Sequence, residues 1–190
     1  MKMYFTDQQL YLEQRLQELK SVNVMEYDAT LLKEKTTRIP LEINESINEL
    51  NLDFLFNYHI FPENILRFKT EWQSENRSMK PGDTIVQQIG LPTARFGVKM
   101  IFGVRIKTII NEPTRKGFSY ETLEGHVEKG ISAFTIEETS EGLFFQIHTY
   151  SVLGNFLSRL TAFFSIPYQR YCTKKALENV KRQIESSMVL

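Results

Sequence analysis

Residues 96–110 constrain the fold more than any other part of the sequence. Apolar or β-branched side chains occupy every second position of this segment. The intervening positions include three cations, which are Lys99, Arg105 and Lys107. A period of two is typical of a strand that buries one face, so the segment predicts a long strand of an antiparallel sheet. Gly103 interrupts the pattern and predicts a β-bulge that bends the strand.

Further segments carry strand patterns on both sides of this one. They are residues 35–43, 64–72, 84–89, 131–138 and 143–151. Pro40 lacks a backbone donor, which predicts an edge position or a bulge for the first of these strands. Residues 117–134 predict two strands around a polar turn that holds glycines, a histidine and carboxylates. Together these patterns predict a first strand at residues 35–43, two short helices, and then a run of about six antiparallel strands.

Helical patterns occupy the two ends of the chain. Residues 6–22 predict a helix on the outside of the domain, which Thr6 and Gln9 begin as a capping box. Residues 154–186 predict a long C-terminal helix, which Pro167 kinks or divides. We therefore expect one α+β domain over residues 1–190, with residues 1–30 as a helical extension packed on it. A curved antiparallel sheet with the long helix across its concave face leaves room for an apolar cavity.

Composition narrows the function classes. The chain has 23 basic and 23 acidic residues and no net charge, so no nucleic-acid partner is expected. One cysteine, Cys172, forms no intramolecular disulfide, which favours a reducing compartment. With no signal peptide and no apolar run of about 18 residues, we expect a cytoplasmic protein without integral membrane association. The apolar segment 155–167 predicts a core or cavity wall, with a homodimer face or a membrane-touching segment as alternatives.

The stretch from Gly117 to Phe134 resembles the signature of an uncharacterised bacterial and plant family, a DUF1990-like domain of unknown function. The matching residues are Gly117-Phe118-Ser119-Tyr120, Thr122-Leu123, Gly125-His126, Glu128, Gly130 and Ala133-Phe134. The turn at Lys80-Pro81-Gly82-Asp83 and residues Ser151 and Gln169–Tyr171 match further parts of the pattern, so that the resemblance covers about residues 79–175.

This resemblance implies a helix-grip fold of the START and Bet v 1-like superfamily, with a long C-terminal helix over a curved sheet around an apolar cavity. Members of the superfamily bind lipids, sterols and other apolar ligands, and a few are cyclases. The chain departs from the pattern at four positions, which are Glu121, Val127, Ile131 and Ser132. Because Ile131 and Ser132 replace a pair of acidic residues, any chemistry of that pair is absent here.

The expected function is binding of a small apolar or amphipathic molecule or lipid between sheet and helix. The predicted wall residues are Phe102, Val104, Phe145, Ile147, Leu160, Phe164 and Tyr168. Large apolar rings supply the contact area of such pockets, and a few polar groups orient the ligand. The predicted orienting residues are Tyr120, His126 and His148.

Two other function classes stay open. One is a cyclase- or hydrolase-type enzyme that uses His126, with Glu128 nearby, or His148 as acid–base. The other is a structural or interaction module whose own side chains, including 14 phenylalanines, fill the cavity. The spacing of His59, His126 and His148 matches no metal-ligand pattern, so that no metal site and no cofactor are expected.

Overall fold

The computed structural model describes the backbone of residues 2–92, 97–153 and 156–187, and the side chains of residues 2–90, 98–152 and 170–187. The strands are β1 (Lys2–Tyr4), β2 (Lys33–Leu41), β3 (Leu66–Thr70), β4 (Thr84–Pro92), β5 (Gly97–Glu112), β6 (Arg115–Thr122), β7 (Glu128–Thr139) and β8 (Gly142–Leu153). The α-helices are α1 (Leu12–Lys20), α2 (Asp53–Phe56), α3 (Glu71–Ser74) and α4 (Phe156–Ser187).

All eight strands join one antiparallel sheet. Seven follow the order β2-β8-β7-β6-β5-β4-β3, and β1 pairs with the first half of β5. Pro40 lies in the edge strand β2, as its missing donor predicted. The long helix α4 packs on β2 and β8. This arrangement confirms the predicted helix-grip architecture.

The face of the sheet that α4 covers, the inner face, holds the main hydrophobic core. The C-terminal half of α4 inserts the buried residues Ala176, Leu177, Val180 and Ile184. They belong to one cluster with the inward-facing Phe118, Phe134 and Phe145 of β6 to β8 and with Leu55 of α2. Burial of such side chains contributes roughly 1.5–3 kcal/mol each, and this packing fixes α4 against the sheet.

The opposite face, the outer face, is covered by α1. A second, smaller core joins Leu12 and Leu16 of α1 to Val86 and Ile101 of the sheet. Arg105 donates hydrogen bonds to the carbonyl oxygens of Leu19 and Lys20, at distances of 3.1 and 2.9 Å. A cation at the C-terminal end of a helix is favourable because it meets the negative end of the helix dipole.

The three cations of β5, which are Lys99, Arg105 and Lys107, form a basic stripe on this outer face, and Arg105 fixes the end of α1 to it. Besides Arg105, Lys107 of this stripe pairs with Glu121 at 2.7 Å. Gly103 belongs to the same contact, because a Cβ there would lie 2.8 Å from a Leu123 methyl and 3.0 Å from a Leu19 methyl. Gly103 thus permits close approach of side chains and does not form the predicted bulge.

The bulge of β5 lies further along, between Ile106 and Thr108. Pairing with β6 shifts by one residue there, so that Ile109 packs against the inner core. The expectation that Thr108 and Ile110 continue the apolar face of the strand was therefore wrong. Because side chains alternate between the two faces of a strand, one inserted residue moves every following side chain to the opposite face.

Three local predictions also differ from the structure. The helix predicted from residue 6 begins at Leu12, after a 3-10 turn in which Asp7, and not Thr6, accepts the Gln9 N–H at 3.0 Å. Residues Glu71–Ser74, predicted as strand and loop, form α3 because the Thr70 side chain caps it by accepting the Gln73 N–H. Helix α4 continues through Pro167 as one helix, so that of the two predicted alternatives, a kink or a division, the division is wrong.

Within the described part of the chain, no helix is both long and apolar enough to cross a membrane.

Candidate functional site

Three polar side chains meet on the otherwise apolar inner face, and we call them the tyrosine cluster: Tyr58, Gln87 and Tyr120. Gln87 Nε2 donates a hydrogen bond to the Tyr58 hydroxyl, and both partners are buried. The Tyr58 and Tyr120 rings lie 6.4 Å apart in an edge arrangement. The polar groups of Tyr58, Gln87 and Ser132 lie close enough to the Tyr120 phenol to affect its pKa. The cluster thus brings two phenols and an amide together inside the core.

The backbone at Tyr58 adopts a conformation that is unfavourable for a tyrosine. The N–H of Tyr58 donates to Leu55 O and the N–H of His59 donates to Phe54 O, which is a Schellman motif at the end of α2. Tyr58 occupies its left-handed position with φ of 64°, where glycine or asparagine is usual. A tyrosine there costs about 1–2 kcal/mol. The side chain, which is fully buried, accounts for a tyrosine at this position.

Tyr120 differs from the other members of the cluster in its exposure. Its side chain is only half-buried by accessible surface. Yet burial is the main cause that raises the pKa of its phenol, to which the Glu128 carboxylate adds. A partly accessible ring whose phenol is shielded from solvent is a candidate contact for a ligand.

Other side chains around Tyr120 share this partial accessibility. They point inward by register or ring contact and include Phe61, Phe68, Ile89 and Ser132. Aromatic rings dominate the group: Phe68 packs edge-on against Tyr58 at 5.1 Å and Phe61 against Phe134 at 6.1 Å. An apolar, ring-lined surface with a few fixed polar groups is the usual composition of a small-molecule site.

His126 lies at the β6–β7 turn, at one end of the inner face. Its ring packs edge-on against Phe102 at 4.5 Å, and Nδ1 lies 3.0 Å from the backbone N of Glu128. Burial lowers the pKa of the imidazole to about 4, so that the ring is neutral at neutral pH. The Glu128 backbone thus fixes the ring, and a neutral imidazole has no proton to donate as a general acid at neutral pH.

Four of the predicted wall residues lie on the inner face: Phe102, Val104, Phe145 and Ile147. Val104 and Phe145 are fully buried within the main core, while Phe102 contacts His126. The other three, Leu160, Phe164 and Tyr168, lie on α4 outside the residues whose side chains are described.

His148 does not join the other predicted residues. It is paired with Ala133 and alternates with the inward-facing Ile147, so that it lies on the outer face. There its Nε2 is 2.9 Å from a Glu34 carboxylate oxygen, and its ring lies 4.4 Å from that of Tyr150. The expectation that His148 shares a wall with Phe145 and Ile147 is corrected by this alternation.

The sequence predictions missed Tyr58 and Gln87. The strand pattern of β4 contained a signal for Gln87, since it stands between Ile85 and Ile89 on the apolar face. Tyr58 carried no such signal because its position depends on a left-handed turn at the end of a four-residue helix.

Among the residues whose side chains are described, no group of three or more metal-ligating side chains is close enough to hold an ion.

Comparison with known structures supports the fold. The chain is similar to ginseng major latex-like protein 151 from Panax ginseng, with a TM-score of 0.53, 12% identity, and coverage of 81% of this chain and 98% of that one. It is also similar to a hypothetical protein from Helicobacter pylori, with a TM-score of 0.53, 9% identity, and coverage of 86% and 98%. At these identities the likeness shows a Bet v 1-like fold alone. No curated protein matches the sequence.

A family model matches further upstream than the resemblance of the β6–β7 region suggested. It covers residues 49–179, which adds α2, β3 and α3 to the matched region. The added part includes Tyr58, and the whole match includes all members of the tyrosine cluster. The chain belongs to the family described as a domain of unknown function, DUF1990.

Proposed function

We propose that the protein binds a small apolar or amphipathic molecule on the inner face, between the sheet and α4. The observation that carries this proposal is Tyr120, which is partly accessible while its phenol is removed from bulk solvent. Proteins with the Bet v 1-like fold commonly bind hydrophobic ligands, which agrees with a site at this place.

The site combines apolar area with a small polar end. Phe61, Phe68 and Ile89 supply apolar surface, and Tyr120 and Ser132 supply hydroxyls. A ligand that buries about 300 Å² of apolar surface there gains roughly 7 kcal/mol before the cost of association. Micromolar binding requires about 8 kcal/mol after that cost, so that the ligand must also gain from the polar end or bury more apolar surface.

The position of α4 supports access from one end of the sheet. Strand β8 ends at Leu153, which pairs with Glu128 at the start of β7. Since α4 begins at Phe156, only a few residues later, its first turn lies near the turn that carries His126. The C-terminal half of α4 packs into the main core, so we place ligand entry at the opposite end.

The test is to fill the proposed space with a side chain. In Ser132→Phe the new ring points to the inner face, beside Tyr120. In the matched control Ala133→Phe the same ring is added one residue later, and it points to the outer face. Binding is followed by the fluorescence of Nile red, an uncharged apolar dye, and folding is followed by thermal denaturation.

We expect wild-type protein and Ala133→Phe to bind Nile red, and Ser132→Phe to lose most of the binding without a fall in melting temperature. Unchanged binding by Ser132→Phe would place the dye elsewhere. If Ser132→Phe unfolds the protein, or if the wild type binds no dye, the interior is filled by its own side chains and the protein is a packed module.

A further inference from the structure

We infer that the ligand presents an uncharged oxygen-bearing end, such as a hydroxyl or carbonyl, to Tyr120 and that lipids ending in a carboxylate or phosphate are rejected. This inference rests on the proposed function and adds the chemical class of the ligand. It is carried by the polar groups of the tyrosine cluster and by the positions around them.

Every member of the cluster is a neutral hydrogen-bonding group. Tyr58 and Tyr120 carry phenols, Gln87 an amide, and Ser132 beside them an aliphatic hydroxyl. Such groups both donate and accept, so that together they match an alcohol or a carbonyl oxygen. His126 at the end of the same face is neutral as well.

Among the described inward-facing positions of β4 to β7 nearest the cluster there is neither lysine nor arginine. These positions include Ile85, Gln87, Ile89, Met100, Phe102, Val104, Ile106, Phe118, Tyr120, Ser132 and Phe134. By register Lys35 of the edge strand β2 shares this face, but it is exposed and Thr149 lies between it and Ser132. The carboxylate near Tyr120, that of Glu128, adds negative charge. The cations of β5 point to the outer face, where Arg105 binds the end of α1 and Lys107 pairs with Glu121. Burial of an anion without a cation is costly because its hydration is not replaced.

Tyr120 is the group that meets the ligand, since it is the partly accessible phenol of the cluster. Tyr58 and Gln87 lie behind it, exposed by 0% and 2%. They are positioning residues that hold the Tyr120 hydroxyl in one direction. The left-handed backbone at Tyr58, with φ of 64°, places its phenol for that contact.

The experiment compares two ligands with the same ten-carbon chain. Displacement of Nile red by 1-decanol and by decanoate is measured at neutral pH, where decanoate is an anion. The same pair is measured with Tyr120→Phe and Tyr58→Phe, which each delete one buried hydroxyl. Tyr27→Phe is the matched control, because it deletes a tyrosine hydroxyl that binds Glu121 on the outer face at 2.6 Å.

We expect decanol to displace the dye at a concentration roughly tenfold or more below that of decanoate. Tyr120→Phe and Tyr58→Phe should reduce this preference about three- to tenfold, while Tyr27→Phe leaves it unchanged. A change in the ratio between two ligands separates a positioning role from a loss of stability, which affects both ligands alike. If Tyr58→Phe does not fold, the ligand preference of Tyr120→Phe alone tests the inference.

Displacement by decanoate at an equal or lower concentration would overturn the ligand class and leave the proposed binding function intact. An unchanged preference in Tyr120→Phe would overturn the assignment of this hydroxyl as the contact. If Nile red does not bind to the wild type, both the proposed function and this inference are overturned.

Discussion

Titration of His126 makes the free energy of unfolding depend on pH between about 4 and 6.5, where few other side chains titrate. Its imidazole is buried against Phe102, which lowers its pKa from 6.5 to about 4. Because the folded pKa lies below the unfolded one, the unfolded chain binds more protons between these values. The contribution of His126 to stability is therefore fully present above pH 6.5 and is lost as the pH falls toward 4.

The size of this loss follows from the two pKa values. Inside the window the slope approaches about 1.4 kcal/mol per pH unit. Between pH 7 and pH 5 the free energy of unfolding should fall by about 2 kcal/mol, because the slope is still developing near pH 6.5. Carboxylates lose their contribution to stability only at lower pH. The pKa of Glu75 is lowered from 4.5 to about 2 by its bonds to Lys20 and Arg77, so that its contribution is lost below pH 4.5.

The measurement is urea denaturation at pH 7, 6 and 5. His126→Asn keeps an acceptor for the Glu128 N–H and removes the titration, so that the fall between pH 7 and 5 should disappear. His148→Asn, the same substitution on the outer face, keeps His126 and should keep the fall. An equal fall in wild type and His126→Asn would refute the burial argument for His126.

Two further predictions concern stability, each measured by urea denaturation at pH 7. Gly130→Ala should cost about 3 kcal/mol or more, because its Cβ would lie 1.9 Å from a carbonyl oxygen of β8. Gly142→Ala is the control, because φ is +118° there but no atom lies near the added Cβ, and it should cost only about 1 kcal/mol. Equal losses in the two variants would show that the contact with the β8 carbonyl is not the cause at Gly130. Arg77→Ala should cost about 3 kcal/mol, because it leaves the Asp83 carboxylate, 1% exposed and held by two 2.7 Å bonds, without its cation. Lys20→Ala removes a half-exposed member of the same ion network whose partner Glu75 is exposed, and it should cost under about 1 kcal/mol. A similar loss for both variants would contradict the burial of Asp83 as the cause.

The architecture was predictable because strand alternation is a local signal. The apolar face of β5 and the edge position of Pro40 both follow from the residues themselves. The bulge of β5 was misplaced because Gly103 looked like the irregular residue, whereas its hydrogen lies against side chains of α1 and the β6–β7 turn. Whether a strand glycine bends the strand or admits a neighbour depends on packing that the sequence does not display.

The candidate site was less predictable than the fold, since it depends on how distant segments meet. Tyr58 and Gln87 are 29 positions apart in sequence, and Tyr120 comes from a third element. Strand facing alone indicates that Gln87 lies on the inner face. The tyrosine that meets it comes from a left-handed turn, which sequence preference assigns to glycine.

The β6–β7 stretch that carries the family resemblance is explained mainly by geometry. Gly117 and Gly130 allow carbonyl oxygens of neighbouring strands to approach where a Cβ would lie 2.0 and 1.9 Å away. The Thr122 hydroxyl accepts the Gly130 N–H at 3.1 Å, and the Glu128 backbone holds His126. The contacts of Gly130, Thr122 and His126 fix the turn near the start of α4, and the contact of Gly117 fixes the opposite end of β6 against β7. The residues that carry the family resemblance thus have a mainly structural explanation, and the ligand contact that we propose lies deeper, at Tyr120.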